Sequence, residues 1–398
     1  MPRTDLHYKA LPGSIWTLGF VSMFMDISSE MVHGLLPVFL VTILGASATS
    51  VGLVEGFAEG IALITRVFSG YLSDRTGKRK SLIITGYLLG TLTKPFFALA
   101  TSVATVFGAR AIDRVGKGIR GSPRDALIAD LTPEHQRGAA YGLRQSLDSV
   151  GAFIGPLLAI ALMTLLHDDF RRVFWLAVIP GLIAVGILVF FIREPERHAP
   201  AIAKAPVQVT QVNVLGAAYW TVLGLGIIFT LARFSEAFLL LRAEQLGLAA
   251  NLVPGILVIL SLFFALGAYP AGYLSDRIGR TTLLVLGLVT LTIADIVLAM
   301  AHSVLFVIIG SAIWGLHMAF TQGIFSALVA DTCAQNLRGT AFGIFGLATG
   351  TAIIIASVLA GWLWDQYGAF ATFLAGAGFS LLTLMGMLVL RKIRGTFH

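Results

Sequence analysis

Apolar residues in this chain run in long unbroken stretches, and polar residues gather in short gaps between them. The pattern predicts twelve helical spans, at about 15–44, 49–72, 81–101, 104–130, 138–166, 172–192, 214–242, 251–274, 281–301, 304–331, 338–364 and 369–390. Each is long enough to cross ~30 Å of hydrocarbon, which takes roughly 20 residues of helix. Barrel strands would be about ten residues long with strict alternation, which these runs lack. A bilayer gives the backbone no solvent partners, so helices are the expected solution.

The spacing of the polar gaps repeats. GYLSDR occurs at Gly70–Arg75 and again at Gly272–Arg277, 202 positions on. LIAD at Leu127–Asp130 returns as LVAD at Leu328–Asp331, and RGAAYG at Arg137–Gly142 as RGTAFG at Arg338–Gly343, each 201 positions on. Three collinear matches at nearly one offset predict one six-span unit used twice in the same order. The expected organisation is an N-terminal bundle over 1–192, a linker over 193–213 and a C-terminal bundle over 214–398. The linker reading rests on the polar, proline-containing stretch from Arg193 to Gln211. Parallel repeats of membrane helices around a central site are a transporter architecture.

Composition sharpens this. Hydrophobic residues make up 57% of the chain and charged residues 12%, with a mean hydropathy of +0.86, which excludes a water-soluble enzyme. With both termini in the cytoplasm, 16 of the 28 Lys and Arg fall in inner segments and two, Arg171 and Arg172, in outer ones. That asymmetry is the positive-inside signature, so the expected location is the cytoplasmic (inner) membrane. It accounts for the net charge of +7 through anionic lipid, with no nucleic-acid partner needed. The polar start of the chain has no signal-peptide pattern, and the first span is expected to serve as the insertion signal. A single cysteine, Cys333, allows no intrachain disulfide and no cysteine-based metal cluster. No cofactor is expected, and a monomer is.

The segment GYLSDRTGKRK, residues 70–80, resembles the signature of the major facilitator superfamily, and GYLSDRIGRTT is its degraded second copy. DRVGKGIRGSPRDALIAD, residues 113–130, resembles a poorly characterised prokaryotic branch of that superfamily. GAFIGP at Gly151–Pro156 partly resembles a motif of its proton-antiporting exporters, without the glycine pair that usually follows. The resemblance implies an all-α fold of two six-helix bundles that alternate access to a midplane site. It also implies that the loop bearing Asp74 and Arg75 latches the outward-facing state with Asp130. Asp276, Arg277 and Asp331 would be the second-half counterparts, with Arg277 or Arg280 as the partner of Asp331. From the residues alone, Gly77 suits a tight turn, Asp74 could cap a helix N-terminus, and the basic cluster could be only a topological anchor.

Ionisable residues inside the bilayer are costly, so their placement is informative. The first span carries Asp26, Glu30 and His33 on one face, and the second carries Glu55, Glu59 and Arg66. Beside the latter lies a stripe of Gly52, Gly56 and Gly60, a surface for tight helix packing. The fourth span is densest, with Arg110, Asp113, Arg114, Lys117, Arg120, Arg124 and Asp125, and the fifth adds Arg144 and Asp148. The second half offers only Arg233, Glu236, Arg242, Asp295 and His317.

One expectation is that Arg114, Lys117, Arg120, Arg124 and Arg144 form a positive cavity wall that receives an anionic group. The competing one is internal pairing, because the neighbouring acids nearly balance the bases. Asp26, Glu30, His33, Glu55 and Glu59 are the candidates for carrying a coupling proton, since a carboxyl group in a low-dielectric cavity can load and unload near neutral pH. The same carboxylates could instead serve a cation or metal ion. The function expected is secondary active transport of a small organic solute with an anionic group, driven by protons. A non-transporting membrane sensor is the alternative of another class, and no hydrolase, zinc or phosphate-loop motif supports an enzyme.

Overall fold

The computed structural model describes residues 11–192, 212, 214–334 and 337–395, with the side chains of 275–276 and 389–395 outside the description. Twelve spans follow one another as α1 (Gly13–His33, continued by Leu36–Val38 and a π-helical turn at Phe39–Ile43), α2 (Ala48–Thr76), α3 (Arg79–Leu92 and Lys94–Leu99), α4 (Val103–Leu131), α5 (Arg137–Leu165) and α6 (Phe170–Leu176 and Val178–Phe191). The second half supplies α7 (Ala217–Ala232 and Ala237–Gln245), α8 (Gly255–Ile278), α9 (Arg280–Ala299), α10 (Val304–Thr321 and Ile324–Asp331), α11 (Arg338–Tyr367) and α12 (Ala369–Gly395). The expected linker, 193–213, lies almost wholly outside the described residues.

Local chemistry fixes the ends and breaks. Ser47 and Ser102 cap α2 and α4 by accepting from the backbone N–H of Ser50 and Thr105. Gly77, at φ 67°, closes α2 in the left-handed conformation, as expected of it. Pro37 and Pro95 stand just past the breaks in α1 and α3, where their missing N–H ends the ladder. The break in α7, from Arg233 to Glu236, contains neither Pro nor Gly and was not foreseen.

Ten of the spans are apolar enough to cross a membrane by composition alone; α2 and α4 are not among them. Both lie inside the N-terminal bundle, where α4 packs between α2 and α3, and their charges meet each other rather than lipid.

The bundle has a terminal end, bearing residues 13 and 395, and a far end. At the far end one continuous apolar core joins the halves, through residues such as Leu35, Phe39, Val51, Phe238, Val253 and Ala360. Toward the terminal end the core splits in two, one part within each half (Leu18, Tyr87 and Leu188; Tyr219, Leu284 and Phe325). The halves therefore close together at the far end and part at the terminal end. The glycine stripe of α2 makes the closest seam. Gly52 lies on the Ser357 carbonyl of α11, Gly60 on that of Gly350, and a Cβ at Gly56 would stand 2.6 Å from the Ser357 Cβ.

Candidate functional site

Between the halves lie two adjoining chambers of about 450 and 930 Å³. They share Glu30, Glu59 and Lys117 from the first half and Ser261, Phe264 and Met318 from the second. Backbone approach sets their acidic edge. A Cβ at Gly151 of α5 would come within 2.6 Å of the Met23 carbonyl, and one at Gly155 within 2.7 Å of the Glu30 Cβ. These two glycines of GAFIGP let α5 close on α1 beside Asp26 and Glu30.

Most of the intramembrane charge is paired. Arg110 and Glu55, both fully buried, bond at 2.7 Å. Lys94 of α3 donates to the Asp113 carboxylate at 2.9 Å. Arg114 lies 3.3 Å from Glu59 and 3.8 Å from Asp113. His33 bridges Glu30 at 3.2 Å and Glu55 at 3.6 Å, so α1, α2 and α4 share one network. Arg144 bonds Asp148 at 2.6 Å, Arg66 bonds Asp125 at 2.9 Å, and Arg124 donates to the Ser22 hydroxyl at 2.9 Å. Arg124 also stands 3.5 Å from Asp125.

Three residues of the expected site stand outside these pairs. Arg120 is buried over the Tyr87 ring, its guanidinium 4.5 Å from the centroid, with Nη1 lacking a hydrogen-bond partner among the described residues. Asp26 lines the larger chamber without an ion pair among the described residues. Lys117 is exposed to both chambers, and no described acid pairs with it. The three form the edge of the network that faces the opening. Among the described residues, no group of three or more His, Cys, Asp or Glu side chains is arranged to hold a metal ion.

The opposite wall is less charged. The unwound segment of α7 brings Arg233, Phe234, Ser235 and Glu236 to the smaller chamber, joined by Phe229 and Trp314. In the sequence Arg233 and Glu236 are intramembrane charges with no spacing that ties them to the first-half cluster. A charged pair in mid-span was the one available signal. Unwinding frees backbone groups at the cavity, as in discontinuous transporter helices.

The loop region corrects one expectation. Asp74 does not cap a helix N-terminus, because α2 runs on to Thr76 and leaves Asp74 in its last turn. Arg75 is exposed, and Arg79 makes the contacts instead: it bonds the Asp130 carboxylate, donates to the Ala126 carbonyl at 2.6 Å and lies 3.6 Å from Asp74. Arg79 opens α3 beside the end of α4, whereas Arg75 is exposed in the last turn of α2. In the second half Arg280 bonds Asp331 at 2.8 Å, while Arg277 stacks on the Tyr273 ring at 4.3 Å. The side chain of Asp276 lies outside those described. Each of these ion pairs stays within its own half.

This arrangement of two bundles around a cavity agrees with the family comparison. The family model described as Major Facilitator Superfamily matches residues 18–261 and 222–396. The chain belongs to the major facilitator superfamily. An uncharacterized MFS-type transporter of Methanocaldococcus jannaschii is 32% identical over 98% of this chain and 97% of its own length. A multidrug resistance protein, MdtH, of Photorhabdus laumondii is 33% identical over 39% of this chain and 38% of its own. In fold, the chain is similar to a peptide transporter, POT, solved with sulfate (TM-score 0.81, 14% identity, 97% of this chain and 95% of that one). It is also similar to the nucleoside transporter NupG (TM-score 0.79, 13% identity, 94% and 99%). The major facilitator membership makes this a multi-pass membrane protein of a transporter family, not an enzyme.

Proposed function

We propose that this major facilitator protein moves a small organic solute bearing an anionic group by proton-coupled alternating access. It works as a monomer in the cytoplasmic membrane with both termini in the cytoplasm. The observation that carries the reading is Lys117, a cation exposed to both chambers with no acid paired to it among the described residues. Among the described residues Arg120 beside it also lacks an ion pair, so the two bases outnumber the one acid of the N-terminal wall with no described ion pair, Asp26. A cation in a confined site is worth more than in water, because the effective dielectric is lower. Glu30, Glu55 and Glu59 each lie beside His33, Arg110 or Arg114, which disfavours the cation or metal-ion alternative.

In this orientation the parted terminal end faces the cytoplasm, and the conformation is inward-open. Asp26 would carry the coupling proton, a reading supported by its position on the chamber wall with no ion pair among the described residues. Arg79 with Asp74 and Asp130, and Arg280 with Asp331, form the inner loops that would latch across the halves in the outward-open state.

The test is a binding screen on purified protein using matched solutes, each as the carboxylate or phosphate and as its amide or ester. Binders then go into proteoliposome uptake with and without a pH gradient. The charged member of each pair is expected to bind more tightly, and Lys117→Gln is expected to erase the difference. Equal affinity for both members, or a preference for cationic solutes, overturns the reading.

A further inference from the structure

One ionisable group has no place in the network described so far. Asp295, on α9, is completely buried, and neither carboxylate oxygen has a hydrogen-bond partner among the described residues. It lies one turn from the far end of α9, in the half of the molecule that does not carry Asp26 and Glu30. Its neighbours are apolar. A Cβ on Gly376 of α12 would stand 2.7 Å from the Asp295 Oδ2 and 2.9 Å from the Phe234 ring, so the bare backbone there makes room for both.

Phe234 is the significant neighbour, because it belongs to the unwound segment of α7 and also lines the smaller chamber. It packs edge-on against Trp314 at 5.4 Å, Phe373 at 5.6 Å and Phe238 at 5.5 Å. These rings belong to the apolar core that joins the halves at the far end. Phe234, which lines the chamber and also touches the Gly376 backbone beside Asp295, stands between the two.

An ionised carboxylate in such a place has nothing to balance it, whereas a protonated one is only an unsatisfied polar group. The ionisable groups that α7 and α10 carry away from the terminal end are His317 on α10 and Arg233, Glu236, Arg242 and Glu244 on α7, with Arg242 donating to the Ala301 carbonyl just past α9 at 2.6 Å. None of them bonds to it: His317 instead uses Nδ1 on the Gly287 carbonyl at 2.8 Å. α8 and α12 carry ionisable side chains only toward their terminal ends.

We propose that Asp295 is a proton-binding site of the second half, occupied by a proton while the far end is closed and opened to exchange when the Phe234 segment moves. The ligand is the proton itself, which the Asp295 carboxylate takes up and releases with no other group exchanged. A site on the far side of the aromatic barrier is positioned to load from outside, whereas Asp26 is positioned to load from the chamber. This assignment stands apart from the cargo reading, for it needs neither Lys117 nor an anionic solute.

Two measurements on the full-length protein in nanodiscs test it. Infrared difference spectra of wild type against Asp295→Asn are expected to show a protonated-carboxyl band at neutral pH that the variant lacks. Asparagine keeps the size and neutrality of the acid, so this variant should fold. Dicyclohexylcarbodiimide, which attacks protonated carboxyls in apolar sites, is expected to modify Asp295 slowly in wild type. The modification, read by peptide mass spectrometry, should be several-fold faster in Phe234→Ala, with Phe234→Leu as the milder variant should alanine unfold the protein. Absence of the band means an ionised Asp295 and overturns the proposal. A band that persists while carbodiimide reacts at the same rate in wild type and the Phe234 variant marks a permanently neutral structural acid, and equally overturns it.

Discussion

The carboxylate of Asp365 reaches from the end of α11 to the start of α2 and grips Thr49. It accepts from the Thr49 backbone N–H at 2.8 Å and the Thr49 hydroxyl at 2.5 Å, and its other oxygen accepts from the Ala48 N–H at 2.9 Å. Free N–H groups at a helix N-terminus favour a negative charge, so this is a helix cap delivered by the other half of the molecule. It exists only while the far end is closed.

Asp365→Ala is therefore expected to weaken far-end closure. The loss of a cap costs about 0.5–2 kcal/mol, which shifts the closed-to-open ratio by roughly 2–30-fold. Single-cysteine accessibility at Ser50 should rise in the variant, while the N-terminal bundle keeps its own stability. Unchanged accessibility would remove Asp365 from the gate.

The seam between α2 and α11 predicts a steric effect. Gly56→Val places branched carbon against Ser357 at a contact that already leaves no space for a methyl group. Overpacking of this kind costs ~1–3 kcal/mol, and here it falls between the halves rather than inside either. Distance measurements between spin labels on the two far-end faces should show a wider mean separation. Gly142→Ala, where nothing lies within 4 Å, should leave the distances unaltered and serves as the control.

Arg79 and Arg75 separate cleanly. Arg79→Ala removes one partner of Asp130 and exposes the Ala126 carbonyl, so both thermal stability and transport should fall. Arg75→Ala touches an exposed side chain and should leave thermal stability within ~0.5 kcal/mol of wild type. Equal losses of stability in the two variants would show that the loop acts through its charge alone.

The contrast marks what a sequence can convey. The number of spans, the glycine stripe and the cationic face of α4 were legible because each is a repeating pattern along one helix. The choice of Arg79 over Arg75 was not, since it depends on how far α2 continues before Gly77 turns the chain. Lys117 could not be distinguished from Arg114 by spacing, because pairing with Glu59 is settled by which helix faces which. The break at Arg233–Glu236, held by Ser357, Trp314 and Phe373 of the same half, and the grip of Asp365 on Thr49 across the halves arise from tertiary contacts, and no local propensity announces either.

The buried pair of Arg110 and Glu55 yields the fourth prediction. Glu55→Gln takes from buried Arg110 its nearer counter-charge and leaves only Asp113, at 3.7 Å, so the cost should approach the ~3–5 kcal/mol of breaking a buried pair. Thermal unfolding in detergent should show that loss, and the double variant Glu55→Gln with Arg110→Met should recover much of it. A double variant as unstable as the sum of both singles would mean that the pair is not coupled.

That pair also bears on how the protein is made. α2 leaves the ribosome well before α4, and a charged side chain at the middle of a bilayer costs ~2.5–3.5 kcal/mol during insertion. Glu55 and Glu59 find Arg110 and Arg114 only some fifty residues later, when α4 is synthesised. Neither helix is apolar enough to settle in lipid by itself. The insertion machinery must therefore hold α2 while α3 is threaded past it, and a nascent chain cut short before α4 has no stable way to keep α2 across the membrane.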